Sequence, residues 1–352
     1  MKGTMQAVVL QEIMKCVVEN RPRPEPPAGG LLLKVHACGL CGSDLRTIRS
    51  GHRNVMLPWI LGHEICGEVE ETGAGYTGTW RIGDRLAVGP NVYDPADPFC
   101  VEGKHELSAS VREIAQQWPG GLAEYIAIPG ESVASGNILP APEGMKSIYA
   151  AIVEPGSSVI HAHEKAHTTI GDTVLVMGAG PIGCLHVAVA RACGASRVIV
   201  SDVVDERLRL VQVFEPDATI NSAVEDLPSR VRDLTDGSGP TVVITANPAA
   251  ISQVQAVEVA AKGGRVVLFG GLPHSDSKPG IDMNIVHYMN LSLIGISRFA
   301  PRHFRLSLQM LQSGQIPGEK LVTDVLPLSQ FNEGLQKALE GRALKVVFEP
   351  GR

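Results

Sequence analysis

Residues 172–202 read DTVLVMGAGPIGCLHVAVARACGASRVIVSD: an apolar run, a glycine turn, a segment at helical spacing, a second apolar run and an acid. Strand, turn, helix and strand in that order make one unit of a doubly wound parallel sheet. Gly178, Gly180 and Gly183 satisfy G-x-G-x-x-G and, with Ile182, open the helix, so the backbone can approach a pyrophosphate held at the helix N-terminus. Asp202 closes the second strand, where a carboxylate can accept bonds from an adenosine ribose and repel a 2′-phosphate. Arg207 leaves an alternative, since its guanidinium can stack on adenine or pair with a 2′-phosphate. NAD is the expected cofactor, with NADP as the second choice.

Further β candidates follow at TVVIT (241–245), GGRVVLFGG (263–271) and LSLIGIS (291–297), and Gly270 is expected at the cofactor. Six strands complete such a sheet, so the tail, with HFRLSLQMLQSG, DVLPLSQFNEGLQKALEG and the strand KVVFEP, is expected to return to an earlier domain. In the tail helix, Leu306, Met310 and Leu311 read as an apolar stripe. Upstream, MQAVVLQ, LLLKVHACG, ICGEVEETG, DRLAVG and AEYIAIP read as short strands of a β-barrel-like domain. The expected fold is α/β: a barrel-like catalytic domain over 1–150 and 292–352, with an inserted dinucleotide-binding domain over 151–291.

A chain of 352 residues is long enough for two cores. Its 44% hydrophobic content and formal charge of -6 describe a soluble acidic protein without the basic surface that nucleic acid requires. Seven scattered cysteines, an odd number with no cationic-apolar leader before them, imply a reducing cytoplasm. No apolar run reaches the roughly twenty residues of a membrane span, so no membrane association is expected.

Three stretches carry metal-binding chemistry: CGLCGSD from Cys38 to Asp44, LGHE ending in His63 and Glu64, and EPGSS opening at Glu154. A thiolate, an imidazole and two carboxylates form the mixed donor set of a catalytic zinc with one position left open. Cys41 and His63 are the firmest ligands. Asp44 fits two roles equally, an acceptor for the ring N–H of His63 or a helix N-cap. A metal site and a dinucleotide site in one chain imply alcohol oxidation.

On GLCGSD, GHE, EP followed by small residues, GAGPIG and GGRVVLFGG, nearly the whole chain resembles the zinc-containing medium-chain dehydrogenases/reductases, the sorbitol (polyol) dehydrogenase branch in particular. The resemblance implies a GroES-like catalytic domain split around a Rossmann domain. It also implies zinc ligands Cys41, His63 and Glu64, with Glu154 bound directly or through water, and Ser43 as the group that receives or relays the alcohol proton. It leaves Cys38 as a packing residue and implies homodimers or homotetramers.

Where relatives hold a second, structural zinc with four cysteines, the aligned positions here are Asp94, Asp97, Cys100 and Ser108, so one catalytic ion and no structural zinc are expected. The Arg-Tyr pair of polyol dehydrogenases becomes Arg298 and Phe299, an expected substrate donor and an apolar wall. The position often held by His after GSD-x is Arg46, followed by Arg49, His52 and Arg53, so positive charge near the substrate, suited to a polyol phosphate, stands against a merely solvated basic loop. His161, His163 and His167 lack the acid of a metalloprotease helix and are expected to be structural.

The expected activity is zinc- and NAD-dependent, reversible oxidation of a secondary alcohol on a polyol or sugar alcohol, phosphorylated or not. The competing readings are a threonine-type amino alcohol dehydrogenase, a zinc-free quinone reductase and a non-catalytic dinucleotide-binding protein.

Overall fold

A computed structural model describes residues 3–351, which separate into two compact units. One comprises the described residues up to Ser157 together with Phe299–Gly314 and Leu321 onward; the other is Ser158–Arg298 with Gln315–Lys320.

In the second unit the apolar runs are buried on both faces, as parallel strands covered by helices require: Val174, Leu175, Val198, Ile199, Val242 and Val243 are all 0% exposed. Six parallel strands lie in the order Ala218–Asn221, Arg197–Asp202, Thr173–Met177, Val242–Thr245, Arg265–Leu268, Ser292–Gly295. Strand order reverses beside Thr173–Met177, so the glycine turn leaves that strand at the switch point where such sheets bind ligands. Because Ser292–Gly295 is the sixth strand, the boundary drawn at 291/292 moves to 298/299. The boundary drawn at 150/151 falls instead inside the helix Val153–Lys165.

The first unit holds a sheet of seven strands, six of them in the order Ile138–Pro140, Arg85–Val88, Glu64–Thr72, Leu31–Gly39, Lys345–Phe348, Val322–Leu326. Tyr125–Ile128 also pairs with Leu31–Gly39. Alternation drives Leu31, Leu33 and Val35 into a core shared with Ile65, Val69, Leu86, Ile126 and Phe348. Each such side chain contributes roughly 1.5–3 kcal/mol. Three adjacent strands fix the site: Gly39 stands opposite Glu64 on one side and opposite Val347 on the other. The C-terminal tail thus delivers Lys345 to the end of the strand that carries Cys38 and Gly39.

The helix Pro301–Gln312 buries Phe304, Ser307, Leu308, Met310 and Leu311, whereas Leu306 is 43% exposed. Spacing at i, i+4 and i+7 from Phe304 sets the buried stripe, so Leu306 does not belong to it. Among the described residues no helix is long and apolar enough to cross a membrane.

Candidate functional site

Cys41 is the extended N-cap of the helix Gly42–Ser50, and Asp44 occupies the third position of the first turn. The Cys41 backbone N–H donates to Asp44 Oδ2 at 3.0 Å, and that of Gly62 donates to Oδ1 at 3.4 Å. The same Oδ1 lies 3.3 Å from His63 Nδ1. Asp44 therefore takes the first of the roles left open for it, acceptor for the His63 ring, and not the second: the N-cap is Cys41, and Asp44 accepts from its N–H from the third helical position. A carboxylate facing Nδ1 keeps the ring proton there and leaves the Nε2 lone pair for a metal. Ser43 Oγ sits 3.3 Å from that Nε2.

One ligand atom each from Cys41, His63, Glu64 and Glu154 fall within 4.8 Å of one another. The site is electrostatically tense. Burial lowers the His63 pKa, but the charges of Asp44 and Cys41 outweigh it and hold the imidazole well above its usual range. Burial pushes the Glu154 carboxyl up to about 7, with Glu64 adding to the push and His63 opposing it. A divalent cation at these four atoms relieves both conditions, since it displaces the imidazole proton and favours the carboxylate. Sulfur, nitrogen and oxygen donors at this spacing suit zinc.

Sequence reasoning missed Lys345. This ammonium is 2% exposed and donates to Glu64 Oε1 at 2.7 Å, Glu64 Oε2 at 2.9 Å and Leu40 O at 3.2 Å. A buried lysine needs such partners. Its only signal was a charge opening an otherwise apolar strand. Gly39 was missed as well: a Cβ there would overlap Glu64 Oε2. Cys38 is fully buried, its Sγ against Gly62, and plays a packing part.

In the lobe at Asp94–Ser110, Ser108 Oγ donates to Asp97 Oδ2 at 3.1 Å and lies 3.0 Å from Ser110 Oγ, while Phe99 N donates to Asp97 Oδ1 at 2.9 Å. A hydrogen bond thus joins Asp97 and Ser108, two of the four positions aligned with metal-binding cysteines.

In the second unit Gly178 has φ +123, which favours glycine, and a Cβ on Gly183 would overlap Gly178 O. Nothing lies within 4 Å of a Cβ built on Gly180, the N-cap of the helix Pro181–Ala192, which has no side-chain cap. The first helical N–H groups, around Ile182, are therefore open to a pyrophosphate. Asp202 Oδ2 accepts from Ala179 N at 2.8 Å and Oδ1 from Val204 N at 3.0 Å, so the acid also fastens the glycine turn. Arg207 Nη1 is 3.9 Å from Asp202 Oδ2. A Cβ on Gly270 would overlap Asn247 O, which brings that loop against the turn after Val242–Thr245.

Arg298 is exposed with φ +61, and its carbonyl accepts from His161 Nδ1 at 2.9 Å. Phe299 corrects an expectation: it is 1% exposed, stacked on Phe304 at 6.0 Å, and its carbonyl accepts from the Tyr93 hydroxyl, so the ring is core and not a substrate wall. Arg46 is exposed on the helix that carries Ser43. His163 and His186 face each other, with His163 Nε2 3.2 Å from His186 Nδ1.

Two family models match the chain: "Alcohol dehydrogenase GroES-like domain" over 27–141 and "Zinc-binding dehydrogenase" over 181–313. The sorbitol dehydrogenase of Bacillus subtilis (strain 168) is 31% identical over 99% of this chain and 98% of its own. The D-arabitol-phosphate dehydrogenase of Enterococcus avium is 28% identical over 93% and 91%. The L-threonine 3-dehydrogenase of Pyrococcus horikoshii is 31% identical over 92% of each. Among solved structures, a zinc-binding dehydrogenase of Sinorhizobium meliloti 1021 bound to NADP superposes with TM-score 0.89 at 28% identity, covering 99% of this chain and 100% of that one. An alcohol dehydrogenase of Escherichia coli CFT073 complexed with NADH gives 0.87 at 28% identity, covering 98% and 99%.

Proposed function

Because the chain belongs to the zinc-binding dehydrogenase family, whose members are oxidoreductases acting on CH–OH with zinc and a nicotinamide cofactor, we propose that it oxidises a secondary hydroxyl of a polyol or related sugar alcohol to the ketone, reversibly. The observation that carries this reading is the convergence of Cys41, His63, Glu64 and Glu154 within 4.8 Å, with Ser43 Oγ beside His63 Nε2.

Those four side chains would hold zinc, which when bound lowers the pKa of a ligated hydroxyl, while the nicotinamide accepts hydride. Asp44 orients His63 and keeps its proton on Nδ1. Ser43 Oγ relays the hydroxyl proton, accepting it as its own proton passes to solvent, to which this side chain is exposed. Lys345 offsets the charge of Glu64, so that the site can hold a thiolate and two carboxylates. Gly178, Gly180, Ile182, Gly183 and Gly270 cradle the pyrophosphate, and Asp202 favours NAD over NADP. Arg298 donates to a substrate hydroxyl.

A lobe in which three of the four metal-binding cysteines are replaced, a site that the sorbitol dehydrogenases this chain resembles have also lost, supports the polyol reading. The second reading, a threonine-type dehydrogenase, rests on the 31% identity to L-threonine 3-dehydrogenase. We place the protein in the cytoplasm, on its seven unpaired cysteines. It would form a homodimer or homotetramer through the edge strand Ser292–Gly295, which light scattering checks.

Metal analysis together with NADH formation from polyols, polyol phosphates and threonine tests the function. Turnover of threonine alone would end the polyol reading.

A further inference from the structure

We propose that the exposed face of the helix Gly42–Ser50 and the loop after it recognise a phosphate monoester on the substrate, so that the alcohol oxidised is a sugar-alcohol phosphate. The inference rests on the polyol reading above and names its substrate class.

Asp44, Thr47 and Ile48 form the buried face of this helix and turn Ser43, Arg46 and Arg49 outward. Ser43 and Arg46, three residues apart, are neighbours on one face, separated by about 4.5 Å along the axis. Since Ser43 Oγ lies 3.3 Å from His63 Nε2, Arg46 stands one turn from the serine that touches this proposed ligand. Arg53 follows in the loop and is likewise exposed.

Among the described residues none of these three guanidiniums has an ion-pair or hydrogen-bond partner. Other arginines of the same unit do: Arg23 pairs with Glu71 at 2.7 Å, Arg112 with Glu131 at 3.2 Å, and Arg85 donates to Pro142 O at 3.0 Å. The stretch from Leu45 to His63 contains no acid at all, in a chain whose formal charge is -6.

Arg46 and Arg49, three residues apart on the helix, repel one another, Arg53 adds a third positive charge close by in sequence, and a dianion offsets that repulsion. Guanidinium forks also match phosphate oxygens two at a time. A free polyol offers no charge here. Threonine offers one carboxylate together with an ammonium that this face repels. The phosphate ester is a handle and stays intact: the carbinol C–H bond gives its hydride to the nicotinamide, the hydroxyl gives its proton to the protein, and a ketone phosphate results.

The test compares kcat/KM for sorbitol with sorbitol 6-phosphate, and arabitol with arabitol 5-phosphate, in the wild type, Arg46→Ala, Arg46→Lys and Arg53→Ala, with inorganic phosphate as competing inhibitor. The wild type should prefer the ester by about tenfold or more, the ratio should fall about tenfold in Arg46→Ala with partial recovery in Arg46→Lys, and phosphate should inhibit the alanine variants less. Equal turnover of ester and free polyol overturns the inference and leaves polyol oxidation standing. An ester preference unmoved in both alanine variants also overturns it. Turnover of threonine alone removes the polyol reading and this inference with it.

Discussion

Lys345 Nζ lies 2.7 and 2.9 Å from the two carboxylate oxygens of Glu64, with both side chains closed to solvent. The ammonium and a metal ion would draw on the same two oxygens. Glu64 could therefore share its charge between them, and Lys345 would act on a bound metal through it.

Replacing Lys345 by Met leaves a buried carboxylate unpaired, which costs about 3–5 kcal/mol where nothing compensates. Zinc supplies a replacement positive charge. Denaturant unfolding of Lys345→Met should therefore show a larger loss in metal-stripped protein than in zinc-loaded protein. An equal loss in both would mean that Glu64 does not face the metal.

Gly39 belongs to the same arrangement, because a Cβ at this position would overlap Glu64 Oε2. Gly39→Ala should push the carboxylate off Lys345 and lower zinc affinity, at a stability cost of about 1–3 kcal/mol from overpacking. Titration with a competing chelator reads the affinity directly. Unchanged zinc binding in a folded variant contradicts this account.

Neither Lys345 nor the need for Gly39 was legible in the sequence, and the reason is topological. Only the pairing of Lys345–Phe348 with Leu31–Gly39, nearly the full length of the chain apart, sets the lysine beside Glu64. The glycine turn, the acid at Asp202 and the Val/Ile strands are local patterns, so the dinucleotide unit could be read directly. Cys41, His63, Glu64 and Glu154 stood out because each lies in a short motif with glycine or small neighbours. Leu306 and Phe299 were misplaced for a different cause. Helical period marks a stripe without fixing which phase of it faces the core, and an aromatic next to Arg298 gives no sign of whether its ring stacks inward on Phe304.

Asp202 has two duties, since the Oδ2 that accepts from Ala179 N also lies near Arg207. Asp202→Ser should weaken NAD use, loosen the glycine turn and free Arg207 for a 2′-phosphate. The kcat/KM ratio of NAD to NADP should fall about tenfold or more. A ratio that does not move would assign Asp202 to the turn alone.

Ser108 Oγ donates to Asp97 Oδ2 in the Asp94–Ser110 lobe, where one serine and two aspartates stand at the positions of metal-binding cysteines and no structural zinc is expected. Chelation should abolish turnover while hydrogen exchange across residues 94–110 stays as it was. Ser108→Ala should speed that exchange and destabilise the protein by about 1–2 kcal/mol. Faster exchange in the lobe on chelation of the wild type would reveal a metal there.

His163 and His186 predict how stability depends on pH. Burial lowers the His163 pKa to about 4, against smaller opposing effects of His186 and Asp172, and burial together with His163 holds His186 well below its usual range. Unfolded histidine titrates near about 6.5. Below that pH the unfolded chain takes up protons that the folded pair refuses, so stability falls as pH drops below about 6.5; the share of His163 levels off beneath about 4, and that of His186 continues to its own, strongly lowered pKa. Each such histidine contributes a slope of about 1.4 kcal/mol per pH unit inside its window. His186→Asn keeps a polar atom near the Nδ1 position that faces His163 and removes one titrating group, while the edge contact with Phe269 at 4.8 Å is lost at every pH alike. Melting curves from pH 7 to 5 should therefore show a shallower decline in the variant than in the wild type, whatever their offset. Parallel declines would place the acid sensitivity elsewhere in the chain.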